Sequence, residues 1–340
     1  MMARRVSIKD VAREAGVSVT TVSHALNGKG RLSDETRRRV AEVADRMHYR
    51  PNPAARSLVS GRTRLIAAMA SLPDDPRIEF AEFAYYTALV GAASGAALAR
   101  DHALVVAPPS RSGFIWERVS LDGVIVIDPM VGERALPALR ARGIPFVTVG
   151  LDPDGGVDAS VSSDEEAGTC AVFDHLAARG GERVALLAIP PVNAFSRDTS
   201  ACYPRWCARE GRDPLVVALD LEDLLARQEG ALVEAVRSLL ERGADAIYAP
   251  LEMIGVDVLR IVQSLGRRVP EDVMLVTTMD SGKAKDTSPP ITTLSFDYNE
   301  LGRRAAEILL DLIDGEGEPI QETVACFLEP RASTARPVRA

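Results

Sequence analysis

The chain has no apolar run approaching the ~18 residues that a membrane helix needs, so no part of the sequence calls for a bilayer. Cysteine is scarce. The four residues, Cys170, Cys202, Cys207 and Cys326, form no CxxC pair and no Cys/His metal spacing. They read as buried or free thiols of a reducing compartment. Histidine is equally scarce, and His102 and His175 have no serine or cysteine nucleophile motif nearby; they read as helix or surface histidines. No GxGxxG and no GxxxxGK[ST] follows a candidate strand, which argues against dinucleotide and P-loop chemistry. Acid pairs are plentiful, yet none sits in a recognisable catalytic motif. The expectation is therefore a non-enzyme with neither cofactor nor metal. The opening Met1-Met2-Ala3-Arg4-Arg5-Val6-Ser7 lacks the apolar segment of a secretory leader, so a cytoplasmic protein is expected.

Charge, by contrast, is abundant and unevenly divided. Residues 1–64 carry 14 Lys+Arg against 6 Asp+Glu, although the whole chain has a net charge of −8. A basic head on an acidic body suits a protein that meets phosphate with one end only.

The head shows three short helical patterns. Ser7 and Asp10 have capping-box spacing, and Ile8, Val11, Ala12 and Ala15 then mark one apolar face. Gly16 stops this helix. Ser18 caps a second helix, with Val22 and Leu26 inward and Val19 outward. After Asn27-Gly28-Lys29-Gly30, Ser33 caps a third, with Val40, Val43 and Met47 inward and Arg37, Arg38, Arg39 and Arg46 on or beside it. Two short helices joined through a glycine turn make a helix-turn-helix pattern. Its second helix would enter the major groove by its N-terminal residues. Val19, Thr20, Ser23 and His24 have the mixture that base edges require, and Thr20 and His24 lie one turn apart. Ser18 and Thr21 suit phosphate contacts. Next, Arg50-Pro51-Asn52-Pro53 and Gly61 bracket a linker in which Ala54 to Val59 spans about one and a half helical turns, too short to stand alone.

Beyond Arg64, short apolar runs alternate with amphipathic helices. The strand candidates are Leu65–Ala70, Ala103–Ala107, Gly123–Ile127, Phe146–Val149, Val184–Ala188, Leu215–Leu219, Ala246–Ala249 and Val273–Thr277; helix candidates include Asp164–Arg179, Leu232–Arg242 and Asn299–Ile313. Such alternation predicts doubly wound parallel sheets, and so many units predict two α/β lobes. Phe80, Phe83, Tyr85 and Tyr86 lead into a small-residue helix and read as lobe core or dimer interface. Trp206 and Cys207, beside Arg205, read as core or pocket wall, with core favoured.

The run from Val6 to Asn27, VSIKDVAREAGVSVTTVSHALN, resembles the LacI/GalR family of bacterial regulators, as does Arg50 to Leu58, RPNPAARSL. Leu121–Val126, Val269–Val273, Pro290–Leu294 and Glu300–Ala306 are similar to family segments in the body. The resemblance implies a helix-turn-helix DNA-binding head at 1–50, a hinge helix and linker at 51–63, and an effector-binding and dimerisation body at 64–340, its two lobes like those of periplasmic binding proteins. Lobe 1 would take residues 64–162 and 297–326, and lobe 2 residues 163–296 and 327–340. It also implies a homodimer or tetramer on a pseudo-palindromic operator in the nucleoid, a repressor controlled by a small-molecule effector, a sugar or another small polar metabolite. Activation, or a degenerate pocket under a partner protein's control, are the alternatives.

By the same resemblance, Val19, Thr20 and His24 read bases, the hinge from Asn52 folds in the minor groove, and Ala55 lets its backbone approach the floor. Leu58 wedges a base step. Ser7, Ser23, Asn27, Tyr49 and Arg56 complete the DNA-binding set. His24 departs from the family's usual arginine, which changes the expected base preference. In open α/β sheets ligands sit beyond strand carboxyl ends, which nominates Asp128, Phe195, Arg197, Glu252 and Asp280. The family's effector-binding arginine falls nearest Thr199. Pro250-Leu251-Glu252 and Thr278-Met279-Asp280-Ser281 depart from the family's forms, which puts a standard sugar in doubt.

Overall fold

The structure is a computed structural model that describes residues 6–26, 30–49, 61–71, 84–107, 113–220, 222–223, 229–279 and 282–336. It divides into two compact units, Met1–Thr63 and Arg64–Ala340.

The first unit contains α1 (Ile8–Ala15), α2 (Val19–Leu26) and α3 (Asp34–Arg46). α2 and α3 begin where a serine hydroxyl accepts from a first-turn amide, and α1 begins where Ser7 donates to the Asp10 carboxylate. The Ser7 amide donates to Asp10 at 3.0 Å. The Ser18 hydroxyl accepts from the Thr21 amide at 3.0 Å, and Ser33 accepts from Thr36 at 3.3 Å. Gly16 ends α1 in the left-handed region, φ 64°, and returns its N–H to the carbonyls of Ala12 and Arg13. Val11, Ala12, Ala15, Val22, Val40, Val43 and Ala44 form the buried core, with Met47 and Tyr49 packed against it. The inward faces follow the 3.6-residue period of the sequence.

The second unit holds two six-stranded sheets. The chain runs β1 (Leu65–Ala70), α4 (Ala84–Ala99), β2 (Ala103–Ala107), β3 (Gly123–Ile127), α5 (Ala135–Arg142), β4 (Phe146–Val149) and β5 (Ser160–Ser163). It continues with α6 (Glu165–Ala178), β6 (Val184–Ala188), α7 (Ala194–Glu210), β7 (Val216–Ala218), α8 (Glu229–Glu241), β8 (Ala246–Ala249), α9 (Glu252–Ser264), β9 (Met274–Thr278) and β10 (Thr292–Phe296). It closes with α10 (Tyr298–Asp314), β11 (Gln321–Val324) and β12 (Cys326–Glu329). The strand orders are β11-β5-β4-β3-β1-β2 and β12-β10-β9-β8-β6-β7, the same order twice. Pairing is parallel except at β10–β12. Each sheet with its covering helices is one lobe.

Parallel sheets need cover on both faces. In the first lobe α4 and α10 share one buried cluster with β1, β3 and β4, while Leu136 and Leu139 of α5 join Val124 and Val126 on the other face. In the second lobe α8 and α9 cover one face, and α6 and α7 the other, through Phe173, Tyr203 and Trp206. Among the described residues, no helix is long and apolar enough to cross a membrane.

The sequence reading misses β5, β10, β11 and β12, and sets two strands one residue off: β7 is Val216–Ala218 and β9 is Met274–Thr278. His102, read as a helix or surface residue, is buried at 5% exposure in the turn before β2, where its Nδ1 meets the Arg100 carbonyl at 2.7 Å. His175 lies in α6 and bonds Thr334 at 2.9 Å. Phe80 and Phe83 lie outside the described residues, whereas Tyr86, Trp206 and Cys207 are core.

The α4–α10 contact depends on Gly302, where any Cβ would collide with the carbonyl oxygen of fully packed Leu89. Gly302→Ala is therefore expected to destabilise the body by about 1–3 kcal/mol through overpacking. The urea midpoint should fall while the slope stays unchanged; an unaltered midpoint would show that the two helices separate freely.

Candidate nucleic-acid interface and effector cleft

In the head, one residue orients the candidate reading helix. Val22 is the buried residue of α2, at 0% exposure, so the face opposite it is turned outward. Val19, at 41% exposure, Ser18, Thr20 and His24 are exposed; Thr21 and Ser23 are half-buried. The Ser18 hydroxyl also meets that of Thr21 at 2.8 Å, so both serve the cap at the positive end of α2. The His24 imidazole lies against Gly30: a Cβ there would come within 2.7 Å of Nδ1. Gly30, at φ 70°, thus leaves room for the ring and takes a backbone conformation that suits glycine. Ser7 is committed to Asp10 through both its amide and its hydroxyl, the latter at 2.6 Å. Tyr49 packs on the head core, with its amide bonded to Ala44 at 2.8 Å. Asn27, Asn52, Ala55, Arg56 and Leu58 lie outside the described residues.

In the body, the two lobes meet beyond the carboxyl ends of their strands. The segment after β3 reaches the segment after β6: the Val131 amide donates to the Val192 carbonyl at 2.8 Å, and Met130 bridges Asn193. Asn193 caps α7 by accepting from the Ser196 amide at 3.0 Å, which fixes the first turn that carries Phe195, Arg197 and Asp198. Arg197 donates to Asp198 at 2.9 Å and, across the lobes, to the Pro153 carbonyl at 3.2 Å.

Asp128 ends β3 in the left-handed region, φ 51°. A non-glycine residue held there costs on the order of 1–3 kcal/mol. Its amide is held by the Val149 carbonyl at 2.8 Å, and its carboxylate accepts from the Tyr85 hydroxyl at 2.7 Å. Burial lifts the Asp128 carboxyl to about 6, partly offset by the Tyr85 hydrogen bond. Burial and the adjacent carboxylate raise Tyr85 well above the usual phenol range. Glu165, the first residue of α6, is pushed up to about 8, first by burial, then by the charges of Asp128 and Asp198, with Arg197 opposing. A line of aromatic rings runs beside these groups. Phe195 meets Phe296 edge-on at 6.0 Å, Phe296 meets Tyr298 at 5.9 Å, and Tyr298 meets Tyr85 at 5.4 Å.

The fold thus brings Asp128, Phe195 and Arg197 together and adds Tyr85, Glu165 and Asp198, which the sequence reading did not nominate. Glu165 follows β5 at once, so the strand-end rule finds it once that strand is known. Thr199 departs from expectation: it is buried at 1% exposure, its hydroxyl 3.4 Å from that of Thr169 in the α6–α7 interface. Two residues beyond Arg197 on a helix, it must face nearly the opposite way. Glu252 opens α9, and Asp280 lies outside the described residues. No group of three or more metal-ligating side chains stands together among the described residues.

The raised Glu165 carboxyl carries a stability cost with a definite sign. Its folded value lies above its ordinary 4.5, so the cost is absent below about 4.5, grows as pH rises and is complete above about 8. Glu165→Gln should melt like the parent at pH 4.5 and higher than it at pH 8.5. A difference independent of pH would refute the burial assigned to this carboxyl.

Comparison with known proteins agrees with both halves. Residues 7–52 match the model of bacterial regulatory proteins of the lacI family, and residues 173–334 match a periplasmic binding protein-like domain. The HTH-type transcriptional regulator CelR of Thermobifida fusca is 31% identical, over 97% of this chain and 98% of its own. Catabolite control protein A of Streptococcus mutans is 27% identical, over 92% of each. The solved CelR–cellobiose complex matches with a TM-score of 0.70 at 27% identity, covering 97% of this chain and 100% of that one. The lac repressor dimer bound to operator and the anti-inducer ONPF matches in fold, with a TM-score of 0.80 at 24% identity, covering 97% and 99%. With that identity sustained over nearly the full length of both chains, this chain belongs to the lacI family of bacterial regulatory proteins and is a DNA-binding transcription regulator, not an enzyme.

Proposed function

We propose that the chain is a repressor that binds a pseudo-palindromic operator as a homodimer, and that a small polar metabolite held between the lobes of its body sets its affinity. The observation that carries the DNA half is the outward face of α2, fixed by Val22 in the head core. Thr20 and His24 are its base-reading pair, Val19 gives apolar contact, and Ser18 and Thr21 meet phosphate at the helix N-terminus. Ser7, Ser23, Asn27 and Tyr49 support the same interface. Asn52, Ala55, Arg56 and Leu58 belong to a hinge that orders in the minor groove, with Leu58 as the unstacking wedge.

For the sensing half, the support is the convergence of Asp128, Phe195 and Arg197 from both lobes, with Glu252 and Asp280 at further strand ends. A ligand that holds the lobes together biases the spacing of two hinges in a dimer and so their ordering on DNA. A coupling of this kind is typically about 1–3 kcal/mol, or 5–150-fold in affinity. The same reading assigns the protein to the cytoplasm, on the nucleoid.

Selection of operators from random DNA tests the reading. The parent should return a two-fold-related site, and a consensus without symmetry would refute the dimeric reading. His24→Arg should change preference at one symmetric pair of positions, because arginine selects guanine bidentately where histidine makes fewer bonds; an unchanged consensus would remove His24 from the base-reading set. Leu58→Ala should lose specific affinity by about tenfold or more, in line with the few kcal/mol of an unstacked step. Its non-specific binding and its salt dependence should persist, since these come from phosphate neutralisation. Equal loss of both would remove the wedge.

A further inference from the structure

His24 lies two residues beyond Val22 on α2, and such a step on a helix turns it to nearly the opposite side from that core residue. Its ring is exposed, and among the described residues it makes no hydrogen bond or ion pair. Its position is set by contact with the turn before α3. A Cβ on Gly30 would stand 2.7 Å from His24 Nδ1, 3.3 Å from Cγ and 3.5 Å from Cε1. Those atoms form the Nδ1 edge of the imidazole, so the opposite edge, with Nε2 and Cδ2, is turned away from Gly30. The turn is held in its own right. Gly30 takes φ 70°, and its carbonyl accepts from the Arg37 guanidinium at 2.8 Å. Arg37 reaches it from α3, which the Ser33 cap and Val40 in the head core fix at this end.

We propose that Gly30 is a specificity-determining residue and Arg37 a positioning residue: together they seat the His24 ring so that Nε2, and not Nδ1, meets the base edge and donates to a purine N7. This inference rests on the reading of His24 as a base contact. A histidine free to turn about its side-chain torsions offers either nitrogen, as donor or acceptor, and so discriminates weakly. Backing Nδ1 against the turn withdraws one of the two. It also spares part of the cost of ordering the side chain on DNA. Any side chain at position 30 places a carbon where the ring now stands and drives His24 off this rotamer. Loss of the Arg37 guanidinium releases the Gly30 carbonyl and, with it, the backing of the ring. Arg37 therefore acts on DNA recognition through Gly30 and His24, in place of the phosphate contact that its charge alone suggests.

Operator selection and binding assays on the full-length protein test the arrangement. Asparagine tolerates the left-handed backbone, so Gly30→Asn adds a Cβ at little backbone cost. It should lower discrimination at the symmetric position pair read by His24 by about fivefold or more, the scale of a lost base contact, and leave non-specific binding unchanged. In a His24→Ala background the same substitution should change nothing further at that pair. An operator carrying a 7-deazapurine at the read position lacks the N7 acceptor. It should bind the parent more weakly and make no difference to Gly30→Asn; a parent indifferent to the deaza base overturns the Nε2 assignment. Arg37→Met should lower discrimination at the same pair while the slope of affinity against salt stays unchanged. A slope smaller by about one, with equal loss on every sequence, would make Arg37 a phosphate contact and overturn its positioning role. Melting of each variant reports its folding; should Gly30→Asn fail to fold, Arg37→Met and the deaza operator decide the question. If His24→Ala alters the preference but Gly30→Asn does not, or alters it equally without His24, the seat is refuted and the base-reading histidine stands. If His24→Ala leaves the preference unchanged, the proposal falls together with that reading.

Discussion

A parallel sheet needs helices on both faces, and this chain meets that need for two sheets by passing between them three times. β5 ends the first sheet and α6 begins on the second. β10 ends on the second, and α10 returns to cover the first with Leu301, Ala305, Ala306 and Leu309. β11 then pairs on the first sheet and β12 on the second. The crossings are tied together: the Asp164 amide donates to the Val324 carbonyl at 3.2 Å, and the Cys326 thiol meets the Asp164 carbonyl at 3.1 Å. Residues at these passages are therefore shared by both lobes. Glu165, Phe296 and Tyr298 are such residues, so the groups that line the cleft are the groups that join the lobes.

This connectivity also explains what could be read in the sequence. Strands buried on both faces, such as Ile66–Ala70 and Gly123–Ile127, announce themselves as continuous apolar runs. The head announces itself through caps and a 3.6-residue period. The missed strands carry hydroxyl or charged side chains. β11, reading Gln-Glu-Thr-Val, and β12 are edge strands, half-exposed, and need no apolar run. β10 is buried yet opens Thr-Thr, because Thr292 is satisfied by Ser333 through its amide at 2.8 Å and by Thr334 through its hydroxyl at 2.8 Å. Partners 40 or so residues away in sequence cannot be inferred from local pattern. Missing β5 hid Glu165. Thr199 was nominated by alignment with an arginine site, but helix phase turns it into the lobe interior.

The cleft is where the body tolerates unfavourable local energies. Asp128 combines a left-handed backbone with a carboxyl raised by desolvation, and the carboxyl of half-buried Glu165 is raised by desolvation and by the charges of Asp128 and Asp198. Neither arrangement helps folding, and each would be relieved by a bound group. The surrounding structure over-determines both: Asp128 is fixed through Val149 and Tyr85, and the segment after it through Ser71, which bonds Glu133 and accepts from the Met130 amide at 3.1 Å. Firm support of this kind is the pre-organisation that the proposed effector site requires.

Such a ligand changes DNA affinity only if movement of a lobe reaches the hinge without loss. The chain enters the body at Arg64, and that entry has no slack. The Arg64 amide donates to Asp122 at 2.7 Å, and its carbonyl accepts from Ala103 at 2.9 Å. Asp122 is itself buried, 3.8 Å from the His102 ring, and its amide donates to the Leu65 carbonyl at 2.8 Å. Arg64 is thereby bonded to the first residue of β2 and to the residue that precedes β3, the two neighbours of β1. A rigid displacement of the first lobe carries residue 64 with it. The start of the body is a fixed anchor for the chain that leads into it, which is what the proposed coupling of effector to DNA affinity requires.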